Sequence, residues 1–291
     1  MTSGRQGVGE LSARTTVVGV IGMPVDHSLS PRLHNAAFAA LGLDWVSVAF
    51  PVAAGTAPTA LAGARALGVR GLSVTMPHKE AVADAVDDAT DTVRTLGAAN
   101  CVDLADGRLT GVNTDGAGFV AAVEEDGWFH PAGERCVVLG AGGAARAVVL
   151  ALAEAGAAEV VVVNRTASRA ARAARLAGAV GRVGSAADVA GAGLVVKATP
   201  AGMTGVGGAG HDEVAVPGHG QVAVDLVYDP PMTPWLTAAE AAGARVRNGL
   251  GTLLHQAAFQ LERWTGHEVP RRALWAAVAP DGRPGVPGRL S

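Results

Sequence analysis

Short apolar runs alternate with longer amphipathic ones along most of the chain. Thr16 to Ile21 is a β-branched run that stops at Gly22 and predicts a buried strand. Pro31 to Leu41 follows as a helix, with Leu33, Ala37 and Leu41 on one face. The pattern then repeats. Trp45 to Val52 reads as strand, Pro58 to Leu67 as helix, Leu72 to Thr75 as a strand closed by Pro77, and Lys79 to Leu96 as one helix. Ala99 to Leu104 and Arg108 to Val112 flank Asp106-Gly107, a hairpin turn that adds antiparallel strands to a mostly parallel sheet.

A second series starts near Asp115. Arg135 to Leu139 is an apolar strand that enters Gly140-Ala141-Gly142-Gly143-Ala144-Ala145, followed by a helix from Ala145 to Ala155 and a strand from Glu159 to Val163. Further strands are expected at Leu194 to Lys197, Val222 to Asp225 and Arg245 to Arg247. The last long helix, Gly251 to Trp264, follows the completed series and is expected to cross back to the first domain. The fold class is therefore α/β in two domains. Residues 1–114 with 250–291 form an N-terminal α/β domain, and 115–249 form a Rossmann-like domain.

Length and composition agree with this reading. A chain of 291 residues holds about two domains of ordinary size. Hydrophobic residues make up 49% and aromatics 4%, so the cores are built of small aliphatic side chains, as α/β layers require. The net charge is -3. A nucleic-acid or anionic-membrane partner calls for a basic chain or stripe, and the sequence has neither. Cys101 and Cys136 form no disulfide framework, which points to a reducing, cytoplasmic compartment. Met1 to Ala13 lacks an apolar signal core, and the Pro/Gly-rich tail Pro280 to Ser291 is expected to fray. The sequence leaves the oligomeric state open, a homodimer included.

The chemistry lies in the connections. Gly140-x-Gly142-x-x-Ala145 between strand and helix fits a dinucleotide: a tight turn at Gly140, close approach of Gly142 to the pyrophosphate, and a small Ala145 against the strand. An NAD site usually carries a carboxylate at the end of the next strand. Here that strand ends in Asn164-Arg165-Thr166, with Arg169 close behind, so Arg165 and Thr166 suit a 2′-phosphate and NADP(H).

Four polar clusters lie elsewhere. His27-Ser28-Leu29-Ser30-Pro31 brackets two hydroxyls which, in an extended loop, face one way and suit a carboxylate; Ser30 is equally a good helix cap. Ser73 and Thr75 alternate on a strand, and Lys79 follows its end, where it also reads as a solvated helix start. Asn100 opens a hairpin strand. Asp115 closes Asn113-Thr114-Asp115 and doubles as a helix cap. A Lys79–Asp115 pair can exchange the proton that accompanies hydride transfer at an alcohol carbon, with the hydroxyls and amides binding a polyhydroxy ring. His27 and His34 lack a third ligand cluster, so no metal site is expected.

In this order the clusters resemble the shikimate dehydrogenase family, over Val18 to about Ala277. The resemblance implies NADPH-linked reduction of 3-dehydroshikimate to shikimate and a cleft between domains that closes on substrate. Lys79 then matches the family's catalytic lysine and Asp115 its partner, while Ser28 and Ser30 match its carboxylate loop. Gly140 to Ala144 (Ala141, Gly142 and Gly143 between them) and Asn164, Arg165, Thr166 and Arg169 match its NADP elements. Ala198-Thr199-Pro200-x-Gly202-Met203 is similar to its loop near the nicotinamide, so Thr199 and Met203 join the cofactor set. Asp225-x-Val227-Tyr228-x-Pro230 and Asn248-Gly249-Leu250-Gly251 leading to Gln256 match further stretches. These add Tyr228 and Gln256 to substrate and Gly249 to cofactor. Two positions depart: Ser73 where many relatives have Asn, and Thr252 where many have Met. Enzymes of the same family that use quinate or an aminoshikimate are the alternative. The intact Lys79 and Asp115 argue against a ligand-sensing member without activity, and the Ser28/Ser30 loop and Gln256 argue against a folate-linked reductase.

Overall fold

The computed structural model describes residues 11–204 and 215–278. The tail expected to fray lies outside these residues. The chain divides into two compact units, one running to Thr114 and resuming at Ala257, the other spanning Asp115–Gln256.

The first unit contains β1 (Thr16–Gly22), α1 (Ser30–Leu41), β2 (Trp45–Pro51), α2 (Ala57–Ala66), β3 (Gly71–Val74), α3 (Lys79–Ala85), β4 (Asp88–Ala89), α4 (Asp91–Leu96), β5 (Cys101–Ala105) and β6 (Arg108–Val112). Its sheet has the order β2-β1-β3-β5-β6-β4. β1 pairs in parallel with β2 and β3, and β5 and β6 enter antiparallel, as the hairpin predicted. Asp106 and Gly107 both have positive φ, which matches the twist of a two-residue hairpin. Ile21, Leu72, Val74, Val102, Leu104 and Leu109 bury one face of this sheet under Leu61 and Val82.

The single helix expected from Lys79 to Leu96 is two helices with a short strand between them. Val86 leaves α3 with extended backbone, and Asp88–Ala89 pairs with Thr110–Gly111 of β6. Asp side chains compete with helix by bonding nearby backbone. Asp87 accepts the Leu109 N–H at 2.7 Å and the Arg65 guanidinium at 2.5 Å, and Asp88 accepts the Ala89 N–H at 2.8 Å. These bonds draw the segment onto the sheet.

The second unit contains α5 (Asp115–Glu124), β7 (Arg135–Leu139), α6 (Gly143–Glu154), β8 (Glu159–Val163), α7 (Ala167–Ala174), β9 (Gly181–Val183), β10 (Leu194–Lys197), β11 (Val222–Asp225), α8 (Pro234–Ala241) and β12 (Arg245–Arg247). Its sheet is parallel throughout, in the order β12-β11-β10-β7-β8-β9. The strands feed both faces. Cys136, Val138, Val160, Val162, Leu194 and Val196 pack on α6 and α7, while Val137, Leu139, Val161, Val195 and Ala223 pack on Trp235 and Leu236 of α8. Residues buried on both faces are what a doubly wound sheet requires.

Two helices follow, α9 (Leu250–Thr265) and α10 (Arg271–Val278), and from Ala257 onward the chain belongs to the first unit. There Trp264 donates its indole N–H to the Val102 carbonyl at 3.1 Å, Gln260 donates to the Asn100 carbonyl at 3.2 Å, and α10 packs on α1. No helix among the described residues is long and apolar enough to cross a membrane.

His34 of α1 is fully buried beside Ser47, with Nδ1 2.9 Å from its Oγ, and meets the Trp264 ring edge-on. Burial pushes its pKa from 6.5 down to about 3. The native state therefore refuses a proton that the unfolded chain accepts. Stability is unaffected above the unfolded value and is lost as pH falls below it, by about 1.4 kcal/mol per pH unit. Urea midpoints measured from about pH 6.5 to about pH 5 should fall more steeply in the wild type than in His34→Phe; parallel profiles would show that His34 does not carry this term.

Candidate active site

In the first unit the polar positions gather at the carboxyl ends of β1 and β3, which are parallel neighbours. The Met23 N–H donates to the Met76 carbonyl at 3.0 Å, so the loop carrying Ser28 lies beside the turn leading to Lys79. The extended geometry expected for Ser28-Leu29-Ser30 is not found. Leu29 has helical backbone, Ser30 is the first residue of α1, and no side chain caps that helix. Pro31 falls in the first turn, where its fixed φ suits the helix and its missing N–H leaves no bond unmade. Ser28 Oγ accepts the Ser30 N–H at 3.3 Å; Ser28 is half-buried and Ser30 buried.

Ser73 is buried within β3, and Thr75 lies one residue past the strand, where its N–H still bonds the Ile21 carbonyl at 2.9 Å. His78, which the sequence did not single out as a site residue, anchors the turn. Its buried ring donates to the Val52 carbonyl at 2.8 Å, and its N–H reaches the Thr75 carbonyl at 3.1 Å. Lys79 opens α3 half-buried, its carbonyl held by the Ala99 N–H at 2.9 Å. Asn100 is buried, and its amide clamps Thr114: Oδ1 accepts the Thr114 N–H at 2.8 Å, and Nδ2 donates to its Oγ1 at 3.0 Å. That clamp fixes the chain immediately before Asp115.

Asp115 itself begins the second unit, as the first residue of α5. Gln256 closes it, on α9, and donates to the Leu253 carbonyl at 2.9 Å. Tyr228 sits half-buried in the connection after β11; burial, aided by the Asp229 charge, pushes its phenol up and keeps it a hydrogen-bond donor.

The remaining positions line the carboxyl edge of the second sheet. The strand series runs outward from β7 in one direction to β8 and β9, and from β10 in the other to β11 and β12. The topological switch point therefore falls between β7 and β10, where doubly wound sheets open a crevice. Gly140 forms the turn after β7 at φ +125, a region closed to other residues, and a Cβ there would come within 2.9 Å of the Ala198 carbonyl oxygen. The segment after β10, which carries Thr199 and Met203, thus lies against the glycine turn. Gly142 is the N-cap of α6, and no side chain caps that helix. Among the described residues, no heavy atom lies within 4 Å of a Cβ built on Gly142 or Gly143. Ala141 is half-buried, Ala144 exposed and Ala145 fully buried, as close helix–strand packing needs. A helix start left uncapped and sterically open is shaped for an anion such as a pyrophosphate.

At the end of β8, Asn164 donates to the Thr166 carbonyl at 3.1 Å, and Arg165, Thr166 and Arg169 are exposed. Gly249, expected beside the cofactor, packs its Cα directly on the Leu226 backbone, and its N–H bonds the Val227 carbonyl at 3.1 Å. Sequence reasoning also passed over Lys197 and Asp225, a buried ion pair at 2.9 Å on the ends of β10 and β11. The signal was present: two neighbouring apolar runs, each ending in a charge of opposite sign. Among the described residues no group of three or more His, Cys, Asp or Glu side chains is placed to hold a metal ion.

A doubly wound unit with an open glycine turn at its switch point, joined to a second α/β unit with hydroxyls and a lysine at its strand ends, defines a dinucleotide-linked α/β protein. Comparison with known proteins narrows this. Sequence models of the shikimate dehydrogenase substrate binding domain match residues 20–102, those of shikimate / quinate 5-dehydrogenase match 127–191, and those of the shikimate 5′-dehydrogenase C-terminal domain match 249–279. The chain is 44% identical over 283 residues to a shikimate dehydrogenase (NADP(+)) of Methanopyrus kandleri, covering 92% of this chain and 96% of the relative. It is also similar to a crystal structure of a shikimate dehydrogenase in complex with NADP+, with a TM-score of 0.86 and 34% identity over 96% of this chain and 100% of the other. A third likeness is the Thermus thermophilus shikimate 5-dehydrogenase in complex with NADP(H) and shikimate, at a TM-score of 0.82 and 36% identity, covering 92% of this chain and all of that one. The chain belongs to the shikimate dehydrogenase family.

The steric contrast within the glycine turn is testable. Gly140→Ala should cost about 1–3 kcal/mol through its backbone strain and its clash with Ala198. Gly142→Ala should change the unfolding midpoint little. Equal losses in thermal melts of the two variants would contradict the geometry of the turn.

Proposed function

We propose that the chain interconverts 3-dehydroshikimate and shikimate with NADP(H), the oxidoreductase step of the aromatic amino-acid (chorismate) pathway. The observation that carries the reading is the carboxyl edge of the second sheet. It offers an open, uncapped helix start at Gly142 and, at the end of the neighbouring strand, an exposed Arg165 and Thr166 where an NAD site has a carboxylate. The shikimate dehydrogenases to which the chain is similar support the same reading.

On this reading the N-terminal domain, 1–114 with 250–291, binds substrate, and 115–249 binds cofactor. Gly140 to Ala144 receive the pyrophosphate, and Asn164, Arg165, Thr166 and Arg169 receive the adenosine 2′-phosphate end. Thr199, Met203 and Gly249 lie toward the nicotinamide, Gly249 through the backbone it supports. When bound, NADPH would supply the hydride that reduces the ketone carbon. Lys79 donates the proton that the new alkoxide takes up and recovers it from solvent; in oxidation it removes the hydroxyl proton. Asp115 orients the Lys79 ammonium. Ser28 and Ser30 hold the substrate carboxylate, while Ser73, Thr75, Asn100, Tyr228 and Gln256 supply hydrogen bonds to the ring hydroxyls. A cytoplasmic setting and a homodimer belong to the same proposal. The two free, buried thiols suit a reducing compartment, and light scattering reads the assembly.

Oxidation of shikimate should be readily measured by NADPH absorbance with NADP⁺, and far weaker with NAD⁺ or with quinate. No turnover of shikimate with either cofactor would overturn the assignment. Lys79→Ala should lower kcat by roughly 10²–10⁴-fold, and a near-normal kcat would remove Lys79 from its role. Arg165→Asp should raise the KM for NADPH by about tenfold or more, the size of a lost charge-assisted bond, and leave that for NADH much less affected; equal changes would deny it the 2′-phosphate.

A further inference from the structure

Parallel register sets Lys197 of β10 directly beside Asp225 of β11. Lys197 is 3% exposed and Asp225 fully buried. The ammonium lies 2.9 Å and 3.2 Å from the two Asp225 oxygens, 2.6 Å from the Ala201 carbonyl and 3.5 Å from that of Thr199. An ammonium has three protons, so these acceptors take up all of them. Asp225 accepts two further bonds, from the Val227 N–H at 3.0 Å and the Thr233 hydroxyl at 2.7 Å.

The network therefore joins two loops at the carboxyl edge of the sheet. The Thr204 N–H adds a direct tie to the Asp229 carbonyl at 3.0 Å. A buried ion pair gives little net stability over an apolar pair of the same size. What it supplies is direction. Three N–H vectors fix a carboxylate and the carbonyl of Ala201, with that of Thr199 at the edge of reach, and between them the loop after β10 takes one shape. That loop borders the crevice at the switch point, and its Ala198 carbonyl rests on Gly140.

We propose that Lys197 is a positioning residue for the cofactor, with Asp225 as its counter-ion. Its bonds to the loop carbonyls set the segment 198–204 against the nicotinamide half of NADP(H), and the adenosine half, at Arg165, is indifferent to it. This rests on reading the second unit as the NADP-binding one.

The test is calorimetric titration of the full-length protein with NADP⁺ and, separately, with adenosine 2′,5′-bisphosphate, which has the 2′-phosphate end and no nicotinamide. Lys197→Met removes the ammonium but strands a buried carboxylate. The double variant Lys197→Met/Asp225→Asn removes both charges and keeps the fold testable. In the double variant NADP⁺ should weaken roughly tenfold or more, the usual effect of a displaced contact, while the bisphosphate binds as in the wild type. Wild-type NADP⁺ affinity in the double variant overturns the proposal, since charge compensation alone would then explain the pair. Equal weakening of both ligands overturns it as well, as does loss of folding in both variants, because the pair would then act on the whole unit. A wild type that binds neither ligand instead rejects the second unit as an NADP site, and this proposal with it.

Discussion

A strand buried on both faces can carry polar chemistry only at its ends. That constraint organises the second unit. β7, β8, β10 and β11 are apolar between their ends because α6 and α7 cover one face and α8 the other. Their carboxyl ends carry what the interior excludes: a glycine turn at Gly140, Asn164-Arg165-Thr166, Lys197 and Asp225. With the switch point between β7 and β10, these groups gather along one edge of the sheet rather than being scattered over it. The first unit obeys the same rule on a smaller scale. The loop after β1 and the turn after β3 hold Ser28, Thr75 and Lys79 because β1 and β3 are parallel neighbours that end together.

Much of this was legible in the sequence. Apolar β-branched runs gave β1, β7, β8, β10 and β11 nearly residue for residue, since a fully buried parallel strand tolerates little else, whereas the short strands β4 and β9 carry no such run and were not expected. The glycine turn was legible because its spacing follows from backbone geometry. The failures are equally physical. Lys79 to Leu96 has helical periodicity, yet Asp87 and Asp88 find backbone and guanidinium partners on β6 and α2 that a window of sequence does not contain. Ser28-Leu29-Ser30 alternates as an extended loop would, yet Leu29 already has helical backbone and Ser30 is the first residue of α1. His78 gave no signal, since its partner, the Val52 carbonyl, is 26 residues away.

Lys197 and Arg165 show how one charge type can serve opposite purposes on the same edge. Arg165 is exposed at the end of β8, and the proposed reading gives it the 2′-phosphate of the cofactor. Lys197 is enclosed, and every proton it has is committed to Asp225 and to loop carbonyls. Asp225 experiences the opposing pull. Burial raises its pKa, and Lys197, Thr233 and the Val227 N–H act against that rise. Removing the ammonium would leave burial opposed only by the Thr233 hydroxyl and the Val227 N–H, with no opposite charge beside the carboxylate. The pair is thus a unit: each charge is tolerable in the interior because the other is 2.9 Å away, and their shared bonds convert that mutual dependence into a fixed shape for the loop beside the glycine turn.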